Sequence, residues 1–141
     1  MVGPDEGMKS RLIKMINNDK NILLLDPIYD RKKIAEMYQA ANVYVIPSFR
    51  EGLPLTLFEA MASGIPIVAS PVNGIAYEMS SGNGIFVNYG DISGLKQAIL
   101  KILNNPKLAR KYALNNKKTA LRYKWDLIYQ KTLKYLHPGQ V

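Results

Sequence analysis

Two carboxylates, Glu51 and Glu59, bracket the segment of this 141-residue chain best suited to chemistry. Between them stand Gly52, Leu53, Pro54, Leu55 and Thr56. Gly52 brings backbone toward a ligand with no Cβ in the way. Pro54 has its φ preset for a helix start, so the amides of Leu55, Thr56 and Leu57 become first-turn donors without a partner inside the helix. Those N–H groups and the helix dipole favour an anion such as a diphosphate. Glu59 falls about one turn further on, roughly 5–7 Å from the helix start at 1.5 Å per residue. A carboxylate there accepts hydrogen bonds from a ribose diol. Beside a bound anion, a hydroxyl-rich partner suits it better than a second charge. Glu51, ahead of the helix, can reach the group on the far side of the diphosphate. Spacing alone leaves two readings open: this ligand site, or an ordinary capped amphipathic helix.

The flanking sequence predicts the elements that must hold this segment. Residues 42–46 (NVYVI) read as a short buried strand stopped by Pro47, and residues 54–63 as a helix closed by Gly64 at its C-cap. Residues 66–69 (PIVA) and 84–87 (GIFV) read as two further strands, with Pro71, Asn73 and Gly74 marking a loop between them. Upstream, residues 5–18 read as a helix, residues 21–25 (NILLL) as a strand, and residues 31–41 as a helix capped by Asp30. Downstream come a helix after Asp91, another from Pro106 to about residue 123, and a last one over residues 125–136. Strands alternating with helices predict an α/β fold: a parallel sheet with helices on both faces. Ligands in such folds bind beyond the carboxyl ends of the strands, which points to residues 26–30, 47–54, 70–75 and 88–91. Residues 1–4 read as the tail of a strand, so the sheet is expected to be truncated at its N-terminal end.

Composition narrows the class. Hydrophobic residues make up 48% of the chain, enough for a continuous core, and residues 1–141 are expected to form a single domain. The absence of cysteine excludes disulfides and thiolate metal sites. No apolar run is long enough to span a bilayer, and the N-terminus lacks the pattern of a signal peptide. The expectation is a cytoplasmic protein.

The net charge of +8 is unevenly placed. Residues 1–50 carry eight Lys/Arg against six Asp/Glu, residues 51–100 one against four, and residues 101–141 ten against one. The basic surface of residues 107–134 suits an anionic membrane surface, which would make the protein peripheral there, or is simply a solvated face. A basic nucleic-acid-binding domain is the weaker alternative, because no recognition motif or stacking platform accompanies the charge. A non-catalytic nucleotide-binding module is another. His137, the only histidine, sits in the tail and is not expected to act as a base.

Residues 43–48 (VYVIPS), 51–55 (EGLPL) and 59–70 (EAMASGIPIVAS) together resemble the signature of family 4 glycosyltransferases, in which two Glu residues are separated by seven others. The likeness continues through Asn73-Gly74-Ile75 with Glu78, through residues 83–87 with Gly90-Asp91, and through Tyr123-Lys124-Trp125. Almost the whole chain is similar to the C-terminal, donor-binding domain of these enzymes. That resemblance implies the glycosyltransferase-B fold, in which two Rossmann-like domains face a cleft. It implies transfer of a sugar from a nucleotide diphosphate sugar, UDP- or GDP-linked, to an acceptor hydroxyl with retention, using no metal and no further cofactor. Glu51 would then face the donor sugar or phosphate as the catalytic residue. Glu59 would bind ribose hydroxyls, and Gly52, Leu53, Leu55 and Thr56 would present backbone to the diphosphate. Asn73 and Gly74 would form the glycine loop, and Pro27, Ile28 and Tyr29 would border the base.

The chain departs from the family pattern in four respects. Pro54 stands where many members have Gly, and Asn73 where a first Gly is frequent. The basic pair that balances the leaving diphosphate would lie before Val2, and the acceptor-binding domain is outside the chain. The expectation is therefore a donor half that binds nucleotide and does not transfer sugar alone.

Overall fold

A computed structural model describes residues 1–5 and 7–136. The chain divides into two compact units, Met1–Glu36 and Met37–Val141. His137 lies outside the described residues.

The second unit is built on three parallel strands, β1 (Tyr44–Ile46), β2 (Ile67–Ala69) and β3 (Gly84–Phe86), in the order β1-β2-β3. Tyr44 pairs with Ile67, and Ile67 with Gly84. Helix α3 (Leu55–Ser63) connects β1 to β2, and α4 (Asn73–Glu78) connects β2 to β3. After β3 come α5 (Ile92–Leu103), α6 (Pro106–Ala120), a 3₁₀ turn (Leu121–Tyr123) and α7 (Trp125–Leu136).

Side chains alternate across a strand, and this sheet sorts them into two cores. Tyr44, Ile46, Ile67, Ala69 and Phe86 pack with Leu57, Ala60 and Met61 of α3 and Ile75 of α4. Val43, Val68, Ile85 and Val87 pack with Ala98 and Ile102 of α5 and Tyr112 of α6. Both faces of the parallel sheet are thus covered by helices, as the strand–helix alternation predicts. Gly64 ends α3 at φ 75°, and its N–H meets the carbonyls of Ala60 and Met61. Below the sheet, the fully buried Asn116 of α6 donates to the carbonyls of Ile65 (2.6 Å) and Asn83 (3.0 Å) and accepts from the Asn83 amide (2.8 Å). Every polar atom of its side chain is engaged, so burying it costs little.

The first unit holds α1 (Lys9–Ile16) and the start of α2 (Arg31–Ala40). Asp30 caps α2 through hydrogen bonds to the N–H groups of Lys32 (2.8 Å) and Lys33 (3.4 Å). Three expectations need correction. Residues 21–25 do not form a strand. Leu25 makes only an isolated parallel bridge to Val2, because a run without a neighbouring strand has no ladder to join. Helix α1 is shorter than predicted, since Asn17 takes a left-handed conformation, φ 47°, and closes it. The turn residues Asn73 and Gly74 do not mark an open loop but begin α4.

Candidate functional site

The segment after β1 carries both carboxylates. Glu51 lies in the loop ahead of α3 and is half-buried, while Glu59 sits in the second turn of α3 and is exposed. Each is held through one oxygen by a hydroxyl. Ser48 Oγ donates to Glu51 Oε1 at 2.6 Å, and Tyr38 Oη donates to Glu59 Oε2 at 3.0 Å. Among the described residues, the second oxygen of each accepts no side-chain or backbone hydrogen bond. Tyr38, at the end of α2, is fixed in turn against Tyr44 of β1 in an edge-on ring pair with centroids 5.7 Å apart. Burial, the Tyr44 hydroxyl and then the Glu59 carboxylate push the Tyr38 hydroxyl well above the ordinary tyrosine value of 10.0. Burial also raises Tyr44, partly offset by the Thr56 hydroxyl beside it. Both phenols therefore stay protonated and able to donate.

The N-terminus of α3 differs from the sequence expectation in one detail. Pro54 is the N-cap, with ψ 121°, and not the first helical residue. Its carbonyl takes the Leu57 N–H at 3.1 Å, so Leu57 is not a free donor. Leu55 and Thr56 remain, both exposed, and no side chain caps this helix end. Two aligned amides at a helix start favour an anion.

The loop itself is pinned from the next helix. Gly74 N–H donates to the Gly52 carbonyl at 3.0 Å, and the Asn73 side chain donates to the Glu51 carbonyl at 2.6 Å. A Cβ at Gly74 would lie 2.3 Å from the Gly52 carbonyl oxygen, so only glycine permits this approach. Asn73 sits at φ 38°, a left-handed conformation that asparagine tolerates better than most residues. Gly52 is the contrasting case. Its φ lies outside the left-handed region, and a Cβ there would meet nothing within 4 Å. Nothing in the packing demands a glycine at 52; what it provides is open space over an exposed loop.

The structure thus brings together Glu51, Gly52, Leu53, Leu55, Thr56, Glu59, Asn73 and Gly74 on and around one helix start. Pro27, Ile28 and Tyr29 fall in the first unit, ahead of α2, where Pro27 and Ile28 are half-buried and Tyr29 is 87% exposed. Sequence reasoning missed Tyr38 and Ser48. Tyr38 reads as part of an apolar stripe, and its polar partner lies 21 residues away. Ser48 stands three residues before Glu51, a spacing that in hindsight permits a short loop hydrogen bond. Glu78 is engaged elsewhere: it accepts from Tyr123 Oη, tying α4 to the 3₁₀ turn.

The carboxyl ends of all three strands line a cavity of about 250 Å³, bordered by Pro47, Ser70 and residues 87–92. Three of the four predicted ligand loops therefore supply residues near these strand ends. Among the described residues, no group of three or more His, Cys, Asp or Glu could hold a metal, and no helix is long and apolar enough to cross a membrane.

Comparison with known proteins agrees with this architecture. The N,N'-diacetylbacillosaminyl-diphospho-undecaprenol alpha-1,3-N-acetylgalactosaminyltransferase of Campylobacter jejuni is 32% identical over 105 residues, 74% of this chain and 28% of that protein. Sucrose-phosphate synthase from Thermosynechococcus elongatus superposes with a TM-score of 0.83 at 28% identity, over 96% of this chain and 36% of that one. S. aureus TarM, solved in complex with fondaparinux, alpha-GlcNAc-glycerol and UDP, has the same fold (TM-score 0.77, 24% identity, 91% of this chain and 27% of that one). The chain spans about a third or less of the length of each. Residues 1–119 match the family model of glycosyl transferases group 1, and the chain belongs to that family.

Proposed function

We propose that this chain is the donor-binding part of a retaining glycosyltransferase that moves a sugar from a nucleotide diphosphate sugar to an acceptor hydroxyl. The observation that carries the reading is the pairing of two hydroxyl-anchored carboxylates, Glu51 and Glu59, around a helix start with two uncapped amides. Leu55 and Thr56 N–H receive the diphosphate, with Gly52 and Leu53 lending backbone where no side chain intrudes. The free oxygen of Glu59 takes the ribose diol. Glu51 faces the transferred sugar, where a fixed carboxylate helps stabilise positive charge developing at the anomeric carbon. The UDP in the TarM complex makes uridine diphosphate the first ligand to try, with guanosine diphosphate as the comparison.

The chain by itself is expected to bind nucleotide weakly and transfer nothing. Only one cation, Arg50, stands in the segment between β1 and α3 to balance a leaving diphosphate, and it is exposed. Calorimetric titration with UDP and GDP, with Glu59→Ala as control and a turnover assay alongside, tests this. Binding that is lost in the variant is expected. No binding of either nucleotide, or sugar transfer by the chain alone, contradicts the reading.

The exposed Lys107, Arg110, Lys111, Lys117 and Lys118 of α6 suit an anionic membrane surface, in keeping with the lipid-linked acceptor in the Campylobacter relative's name. Co-sedimentation with phosphatidylglycerol vesicles, abolished by salt, is the expected result; no co-sedimentation at low salt removes this part of the reading.

A further inference from the structure

The loop that carries Glu51 has little burial to hold it. None of residues 47–53 is buried, and Phe49 and Leu53 are 73% and 52% exposed. Among the described residues, two hydrogen bonds tie the backbone of this loop to another segment, and both come from the start of α4. Asn73 Nδ2 donates to the Glu51 carbonyl at 2.6 Å, and Gly74 N–H to the Gly52 carbonyl at 3.0 Å. The α4 side of this contact is firm. Ile75 is 0% exposed in the core, Val72 packs against the same cluster, and Val72 N–H closes a turn on the Ser70 carbonyl at 2.9 Å.

Asn73 is an unusual first residue for a helix. No side chain caps α4; that of Asn73 instead reaches a partner 22 positions away in sequence. Its φ of 38° is left-handed, a conformation that persists where surrounding contacts impose it. Asparagine tolerates that angle and also brings a side-chain donor, whereas glycine tolerates it with none.

Peptide geometry gives the bond at Glu51 a consequence. A trans peptide points its C=O and its N–H in opposite directions, and no described peptide bond is cis. With the carbonyls of Glu51 and Gly52 turned toward α4, the N–H groups of Gly52 and Leu53, in the same two peptide units, point away from it. Neither finds an acceptor among the described residues, and both belong to exposed residues. Two directed, unpaired amides therefore stand just ahead of those of Leu55 and Thr56. We propose that Asn73 is a positioning residue of the donor site. By holding the Glu51 carbonyl it turns the Gly52 N–H toward a bound diphosphate and steadies Glu51, whose carboxylate Ser48 holds from the other end. It acts through the loop and not on the ligand. This role rests on the nucleotide reading above.

The test is amide NMR of the 141-residue chain, free and titrated with UDP, in the native form and as Asn73→Gly and Asn73→Asp. Both variants accept the left-handed backbone, and neither can donate from an ionised or absent side chain. In the free chain, ¹⁵N relaxation is expected to show Gly52 and Leu53 ordered in the native form and mobile in both variants, with residues 67–69 unchanged. An Asn73→Asp chain whose loop stays as ordered as the native one overturns the proposal, because shape and not donation would then suffice. On titration, Asn73→Gly is expected to bind UDP about three- to tenfold more weakly, the loss of roughly one hydrogen bond. At saturation its Gly52 and Leu53 responses should shrink while those of Leu55 and Thr56 persist. A Gly52 response equal to the native one, or a uniform loss at all four amides, contradicts a positioning role. Failure of the nucleotide reading looks different: UDP would then move nothing at 52–59 even in the native chain, and the donor role of Asn73 would fall with it.

Discussion

Residues 21–25 and 65–69 are similar on paper: NILLL and IPIVA are both short apolar runs after a helix. Their fates differ. Ile67, Val68 and Ala69 are at most 1% exposed and form the central strand, paired on both sides. Leu23 is 64% exposed and Leu25 40%, and their segment makes one isolated bridge. The difference reaches across the two units. Among the described residues, none in Met1–Glu36 is buried, whereas the second unit holds two cores on either face of its sheet. A hydrophobic run records a capacity to be buried, and neighbouring strands decide whether that capacity is used.

The largest test of this contrast is a pair of truncations. Leu57→Ala removes a side chain that is 0% exposed in the α3–sheet core and is expected to cost about 3 kcal/mol. Leu23→Ala, at an exposed position, is expected to cost under about 0.5 kcal/mol. Urea denaturation of both variants measures the difference, and equal costs would erase the distinction between the units. Hydrogen exchange is expected to follow suit, with amides of β2 protected most and those of residues 19–25 exchanging fastest.

A smaller effect is expected where the second unit meets its ligand. Tyr38→Phe keeps the ring packed on Tyr44 but removes the hydrogen bond to Glu59. Nucleotide affinity should fall about five- to tenfold, near the ~1 kcal/mol of one such bond, with Tm little changed. Unaltered affinity would show that Glu59 needs no anchor.

The smallest effect is on pH dependence. The tyrosines with raised values, Tyr38, Tyr44 and Tyr112, all lie in the second unit, and burial is the leading cause for each. A raised phenol pKa means the folded chain keeps protons that the unfolded chain releases above pH 10. Stability from these groups is therefore complete below pH 10 and lost as pH rises beyond it. Denaturation midpoints between pH 9 and 11.5 should show this decline, shallower in Tyr38→Phe. A flat profile would contradict the burial of these hydroxyls.

The sequence made the second unit legible because its signals agree with one another. Short β-rich runs, Gly64 as a helix stop and Pro106 as a helix start all point to the same sheet-and-helix order. The carboxylate pair was legible for the same reason: Glu51, Gly52 and Glu59 sit in one contiguous phrase. What stayed hidden depends on contacts between distant segments. Tyr38 meets Glu59, Asn73 meets Glu51 and Asn116 meets Ile65 only once the fold exists. Helix α4 was hidden because Asn and Gly at its start are turn residues by habit; here they start a helix while bonding the loop beside it.

The central claim is that residues 52–59 form an anion-and-diol site. An amide NMR titration of the chain with UDP tests it most directly. The predicted result is that the Leu55 and Thr56 amides move most, with Gly52 following, and that the response is lost in Glu59→Gln. Shifts spread over the basic residues of α6, with none at 52–59, would contradict it.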